Sequence, residues 1–309
     1  MTTNDISAVK RVLVVGANSY IGDSFARYAR KRLCVDIVDS YEGWKTAQYN
    51  EYDSVLMVAG LAHQKWTRKQ QEANKDMYNA INSDLAIAVA KKAKAGGVGQ
   101  FIYLSSMAVY GRAVGAITTN TKVMPKDTDY YGLSKYRAET ALASLSQVGT
   151  SLCIVRPPMV YGPGCPGKFA SLVKVAKVLP FIPFVDNKRS MIFIDNLCEF
   201  LCLAIERHIS GVFHPHNNEY MNTTLLIKAI AKAMGKRRYV MPGLGLLVRC
   251  MMPFSSTAKT AFGSLYYDGN VAAMPFKDDY QVVSIAESVV RSLCNTGYLT
   301  SPETPNERP

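Results

Sequence analysis

The stretch VLVVGANSYIG, Val12–Gly22, decides the fold. Four apolar residues run into Gly16, and a second glycine, Gly22, follows six residues later. A short apolar run that stops at glycine reads as a buried strand leaving through a tight turn. The next residues, DSFARYARKRL (Asp23–Leu33), space their apolar side chains as an amphipathic helix does. Strand, turn and helix in this order aim backbone N–H groups and the positive helix end at a pyrophosphate. Gly16 would permit the turn, and Gly22 the close packing of helix on strand. Ser19 stands midway, where a glycine normally lets the backbone approach phosphate. Serine is small and brings a hydroxyl donor. The expected cradle is Gly16, Ser19, Tyr20, Ile21 and Gly22.

Working outward, apolar runs alternate with helical periodicity. CVDIVDS (Cys34–Ser40), YDSVLMVAG (Tyr52–Gly60), QFIYLSS (Gln100–Ser106) and TSLCIVRPP (Thr150–Pro158) read as strands. NSDLAIAVAKKAKAGGV (Asn82–Val98) and YYGLSKYRAETALASLSQ (Tyr130–Gln147) read as helices. This alternation predicts an α/β fold with a parallel sheet covered on both faces, and the near-continuous apolar strands agree. Asp39 ends the second strand, 23 residues after Gly16. An acid about 20 residues on can bond the adenosine ribose hydroxyls and disfavour a 2′-phosphate, which points to NAD. Its alternative role is a turn or helix cap. After RPPMVYGPG (Arg156–Gly164) prolines become dense and the alternation stops. The expected division is 1–156 for dinucleotide and 157–309 mainly for substrate. RSMIFIDNL (Arg189–Leu197) again reads as a strand entering a helix, so 186–210 should pack with the first part.

Composition narrows the class. The 309 residues are 48% hydrophobic, enough for a sizeable core, and no apolar run approaches the roughly 20 residues that span a bilayer. MTTNDISAVKR lacks the apolar stretch of a signal peptide, so a cytoplasmic protein is expected, without an integral membrane segment. Seven cysteines are scattered without a C-x-x-C pair. Cys198 and Cys202 are expected to face a core, and the four histidines have no zinc spacing, so no metal is expected. The net charge of +12 is spread along the chain. GKRRY (Gly235–Tyr239), the one tight basic run, reads as solvated surface. A pocket for a nucleotide diphosphate would use the same charge, and nucleic acid is not expected.

Tyr131 and Lys135 lie four apart on a predicted helix and so share one face. An ammonium near a phenol is expected to lower the tyrosine pKa, letting the pair remove or return the proton of a sugar hydroxyl. Ser105 and Ser106 end a strand, where ligands sit in such sheets, and Ser106 would hold the same oxygen.

Taken in order, GANSYIG, VLMVAGLAH, FIYLSSMAVYG, YYGLSK, RPPMVYGPG and RSMIFIDNL resemble the extended short-chain dehydrogenase/reductase family, in particular its NAD-dependent nucleotide-sugar epimerases, dehydratases and 4-ketoreductases. The resemblance implies a Rossmann-type doubly wound sheet with a smaller, interleaved C-terminal substrate domain. It implies catalytic Ser106, Tyr131 and Lys135, with Asn82 in support. Ala59, Gly60, Leu61, Ala62 and His63 match a segment that lies along NAD, and Lys135 is implied to contact the cofactor as well. Met159, where many relatives have asparagine, and Arg189, matching a diphosphate-binding arginine, fall to the substrate. Homodimerisation through the helices of Asn82 and Tyr131 is implied too. Departures are Ser19, the short Asp39–Tyr52 segment with no room for a further strand and its adenine-contacting acid, and Phe193 and Asn196 for a common histidine and aspartate. The second phosphate-binding arginine has no clear match, with Arg249 and Lys259 as stand-ins.

The 4,6-dehydratases of the family that this chain resembles carry an Asp-Glu pair right after the strand-end serine for water elimination, and Met107 and Ala108 here can exchange no proton. That argues against a dehydratase. A 4-epimerase on a UDP-hexose or UDP-N-acetylhexosamine is the leading reading. A 4-ketoreductase is the alternative, and an inactive dinucleotide-binding module a third. VMPGLGLLVRCMMPF (Val240–Phe254) is expected to be a helix packed on the core. Its other reading, after GKRR, is a segment resting on an anionic membrane surface.

Overall fold

The computed structural model describes residues 9–62, 66–112, 114–145, 149–269, 271, 276 and 279–294. Alternate residues of β1 (Arg11–Val15) enter two different cores: Val12 and Val14 one, Leu13 and Val15 the other. This is the period-two pattern of a strand buried on both faces.

Gly16 turns the chain into α1 (Tyr20–Ala29), which returns to β2 (Cys34–Val38). A short α2 (Gly43–Thr46) and a single 3-10 turn (Tyr49–Glu51) lead to β3 (Ser54–Met57). Then come α3 (Arg68–Ala73), α4 (Lys75–Asn79), α5 (Leu85–Ala95) and β4 (Gln100–Leu104). β5 (Gly115–Ile117) lies in the connection to α6 (Tyr130–Leu145) and β6 (Ser151–Val155). The second half holds β7 (Met159–Tyr161), α7 (Lys168–Val178), β8 (Phe181–Pro183), β9 (Met191–Phe193), α8 (Ile194–Glu206) and β10 (Gly211–Phe213). It continues through α9 (Thr223–Ala233), β11 (Tyr239–Met241), α10 (Pro242–Met251), α11 (Ser256–Phe262), β12 (Leu265–Tyr267) and α12 (Ile285–Leu293).

Six strands form one parallel sheet in the order β10-β6-β4-β3-β1-β2. The order reverses at β1 and β3, so their carboxyl ends open the crevice where such sheets bind ligands. Phe25 and Ala29 of α1 and Leu197 and Leu201 of α8 pack on one face. Val89 and Ala93 of α5 and Ala138 and Leu142 of α6 pack on the other. As expected from the short Asp39–Tyr52 segment, no strand lies outside β2, which is an edge of this sheet among the described residues. Two returns of the later chain complete the sheet. α8 packs on α1, where Arg32 forks between Glu199 and Glu206. β10 pairs with β6. Cys198 and Cys202 are fully buried in this core.

The remaining strands form parallel pairs, β7 with β9, β8 with β11 and β5 with β12. Among the described residues no helix is long and apolar enough to cross a membrane.

Candidate active site

The glycine turn is built as the residue types demand. Gly16 has φ +141°, and a Cβ there would fall 2.7 Å from the Ala59 nitrogen. Only glycine fits a turn pressed against the end of β3 at the crevice. At Gly22 a Cβ would fall 2.5 Å from the Gly16 carbonyl oxygen, so the helix could not seat so closely. Ser19 is the N-cap of α1: its hydroxyl accepts from Gly22 N–H at 3.1 Å and donates to Gly16 O at 2.5 Å. That hydroxyl is therefore spent on the turn itself rather than turned outward. The N–H groups of Tyr20 and Ile21 have no partner among the described residues and stay open at the helix start.

These residues suit a dinucleotide. The buried Tyr20 hydroxyl also has no partner among the described residues. It lies where a Cβ on Gly162 would be 2.6 Å away, between the glycine turn and the loop after β7. Free N–H groups at a helix N-terminus form a donor set for phosphate oxygens, while the Tyr20 hydroxyl is buried beside Gly162. Asp39 sits just past β2, whose Val38 carbonyl accepts from Gly16 and Ala17 N–H. Its Oδ1 takes the N–H groups of Tyr41, Glu42 and Gly43, chiefly the first two, and they hold the carboxylate below its usual range. Asp39 thus does cap the following turn, with Oδ1.

Across the crevice, Asn82 ties the loop after β3 to α6. Its Oδ1 accepts from Leu61 N–H at 2.7 Å, and its Nδ2 donates to Leu61 O at 3.1 Å and Ser134 Oγ at 2.9 Å. A π-helical turn, Ala80–Asp84, carries Asn82 inward and frees its carbonyl for Tyr103 Oη at 2.8 Å. A Cβ on Gly60 would fall 3.1 Å from both Asn82 Oδ1 and Lys135 Nζ, so glycine lets this loop lie low over the lysine. His63 is outside the described residues.

Ser106 leaves the end of β4 as the N-cap of a 3-10 turn, Met107–Tyr110, accepting from Ala108 N–H at 3.1 Å. The structure brings Ser106 and Tyr131 together: both are half-buried, and the Ser106 hydroxyl lies near enough to favour the Tyr131 phenolate. Lys135, one turn further along α6, is buried and donates to Leu104 O at 2.8 Å. Burial draws its pKa down to about 7, opposed by Glu139. The expectation that Lys135 lowers the Tyr131 pKa is corrected. Burial pushes the phenol up to about 12, against the pull of Ser106, while the Lys135 ammonium turns to the Leu104 carbonyl.

Behind the pair lies a network absent from the sequence reading. Glu139 takes Arg156 Nε at 3.0 Å and Nη2 at 2.6 Å, and accepts from Ser105 Oγ as well. Arg156 Nη1 donates to Tyr110 Oη at 2.8 Å, whose own proton faces His214 Nε2 at 2.8 Å. His214 then carries its proton on Nδ1, which is buried without a partner among the described residues. Burial first, then Arg156 and His216, draws the His214 pKa down to about 3. His214 and His216 follow β10 rather than lie in it. The spacing Tyr131, Lys135, Glu139 was a findable signal: all three lie on one helix face.

On the substrate side, Met159 is half-buried in β7 and packs against the larger core. Arg189 Nη1 donates to the Thr260 and Gly263 carbonyls at 2.8 and 2.9 Å, at the end of α11, and burial lowers its pKa. Lys168, not foreseen, stands nearby. Desolvation and then the Arg189 charge lower its pKa, against Asp129. Asn196 clasps the later chain, accepting from Val283 N–H at 2.9 Å. Arg249 and Lys259 are exposed.

The sequence model of the NAD dependent epimerase/dehydratase family matches residues 12–216, more than half of the chain. The chain belongs to this family. NAD is the family's cofactor, in agreement with the donor set above. A relative from Vibrio cholerae, named UDP-glucose 4-epimerase, is 27% identical over 268 residues, 78% of this chain and 81% of its own. Two solved structures share the fold. A UDP-glucuronic acid 4-epimerase from Bacillus cereus, in complex with NAD, has TM-score 0.67 at 17% identity and covers 91% of this chain and 97% of its own. A dTDP-4-dehydrorhamnose reductase from Bacillus anthracis, in complex with NADP, has TM-score 0.60 at 20% identity over 76% and 84% of the two chains.

Proposed function

We propose that this family member is a nucleotide-sugar 4-epimerase that oxidises C4 of a UDP-hexose or UDP-N-acetylhexosamine and returns the hydrogen to the opposite face. The observation that carries it is the convergence of Ser106 and Tyr131 at the crevice, with Lys135 buried one turn on and no acid at Met107 or Ala108. Ser106 holds the C4 oxygen, and Tyr131 exchanges its proton. Asn82 fixes the Gly60–Leu61 loop over Lys135, so loop and helix keep one spacing. Arg189 and Lys168 supply positive charge for the substrate diphosphate. NAD, when bound in its oxidised form, would supply the acceptor for the C4 hydride and a positive charge that favours the phenolate. The relative from Vibrio cholerae supports epimerase over the other family reactions.

Two observations support a second reading, a 4-ketoreductase. A phenol held at about 12 is protonated at neutral pH, ready to donate to a 4-keto oxygen. The open edge at β2 removes a strand from the adenine side, which suits a cofactor that exchanges each turnover. An inactive module would have no use for the Ser106–Tyr131 pair.

The test is turnover of UDP-glucose and UDP-N-acetylglucosamine with a trace of NAD and no reductant, products resolved at C4 by proton NMR. Conversion far exceeding the NAD present supports the epimerase. No conversion by folded, NAD-loaded protein, with turnover of a 4-keto sugar and reduced cofactor, replaces it by the ketoreductase.

A further inference from the structure

Helix α10 faces outward to an unusual degree. Only Gly245 of the helix is buried. A Cβ there would fall 1.8 Å from the Phe184 carbonyl oxygen, so glycine lets the helix press flat on the end of β8. The opposite side is apolar. Leu247 and Met251 follow at i and i+4, with Leu246 beside them and Phe254 in the turn after the helix, and these four are 60%, 57%, 66% and 92% exposed. The expectation of a helix packed on the core is therefore corrected. A contiguous exposed apolar stripe of this kind marks an interaction surface.

The chain segment around the stripe carries charge of one sign, and the exposed acid beside its seat is Asp186, two residues past Phe184. From Tyr220 to Tyr267 the chain carries seven Lys and Arg and no Asp or Glu. Lys236, Arg237 and Arg249 are exposed. Arg238 closes the end of α7, donating to the Ala176 and Lys177 carbonyls at 2.9 and 2.8 Å. α7 packs on α9 and adds the exposed Lys174 and Lys177 without an acid.

We propose that α10, with its continuation to Phe254, docks this protein on an anionic bilayer surface. Leu246, Leu247, Met251 and Phe254 enter the boundary between headgroups and acyl chains, and Lys236, Arg237 and Arg249 meet acidic headgroups. A second copy of the chain fits poorly, because two such lobes would bring like charges together. Nucleic acid fits poorly too, because an aliphatic stripe offers no platform for bases. α11 starts just after Phe254, and its last carbonyls hold Arg189. Docking therefore sets the bilayer one short helix away from Arg189. The proposal does not depend on which C4 reaction the site performs.

The test is flotation of the full chain with phosphatidylethanolamine/phosphatidylglycerol vesicles and with pure phosphatidylcholine vesicles. The wild type is expected to float with the anionic vesicles only, less so as salt rises. Leu247→Glu/Met251→Glu should lower partitioning by at least about tenfold with an unchanged melting temperature. If that variant misfolds, a polarity-sensitive dye on Cys250, in a Cys34→Ser/Cys294→Ser background, should shift to the blue on adding anionic vesicles. Wild type left at the bottom at low salt, equal flotation of the folded double variant, equal binding to neutral vesicles, or a dye that does not shift overturns the proposal. So does a dimer that the double variant splits in light scattering without vesicle binding, which assigns the face to a second copy.

Discussion

Glu139 grips the Arg156 guanidinium with both carboxylate oxygens, at 3.0 and 2.6 Å, inside the protein and one helical turn past Lys135. Removing one partner of a buried pair leaves the other charge stranded, whereas removing both is far milder. Glu139→Gln should cost about 3–5 kcal/mol of stability. Glu139→Gln/Arg156→Met should cost less than the sum of the single variants. Urea unfolding of the three proteins measures this coupling.

Tyr131→Phe removes the exchangeable proton and leaves the fold. Turnover should fall by about 10²–10⁴. NAD binding, followed by titration, should change little. Loss of both together would mean that Tyr131 serves the cofactor site rather than the chemistry.

The buried Lys135 gives stability a slope with pH. Its pKa in the folded chain, about 7, is below the 10.5 of an ordinary lysine. Below about pH 7 both states are protonated and the full cost of burying the charge is present. The cost is relieved as pH rises from about 7 to 10.5, because the unfolded chain then binds more protons. Lys135→Met should flatten that rise, seen as urea midpoints compared at about pH 6 and about pH 9.

His214 acts on the acid side. Its folded pKa of about 3 is below the ordinary 6.5, so stability drains as pH falls from 6.5 towards 3. His214→Gln can still accept from Tyr110 and cannot be protonated. It should therefore lessen the loss of stability over that interval in acid unfolding curves.

Ser19 separates cap from cradle. Ser19→Ala removes the cap and should cost about 1 kcal/mol, while Ser19→Gly should cost only a few tenths. Ser19→Gly also clears the middle of the turn, so NAD should bind it at least as tightly as wild type. Calorimetry of both variants with NAD measures the two effects.

Much of the scaffold was legible because its signals are local. The apolar runs around Gly16, the helical spacing after it and the shortness of Asp39–Tyr52 each depend on neighbours in the chain. The shared face of Tyr131 and Lys135 is local in the same way. Glu139 was not legible as a buried charge, because Arg156, Ser105 and Tyr110 meet it only after β4, β6 and α6 are packed. The Tyr131 pKa was misjudged for a related reason. Spacing put Lys135 on the right face, but the Leu104 carbonyl, from another strand, decides where its ammonium points. The outward stripe of α10 was ambiguous because that segment is apolar on every side but that of Arg249, and the Gly245–Phe184 contact shows which side seats.

The pairing of β10 with β6 bears on synthesis. A chain emerging from its amino end has made β6 before residues 211–213 exist, and α1 before α8 exists. Until then β6 shows an unpaired strand edge and α1 an uncovered apolar face, both invitations to association with other nascent chains. The nucleotide half therefore matures only after about two thirds of the polypeptide has been translated. A gene fragment stopped near Pro157 should yield a product that needs chaperone protection rather than a stand-alone cofactor-binding unit.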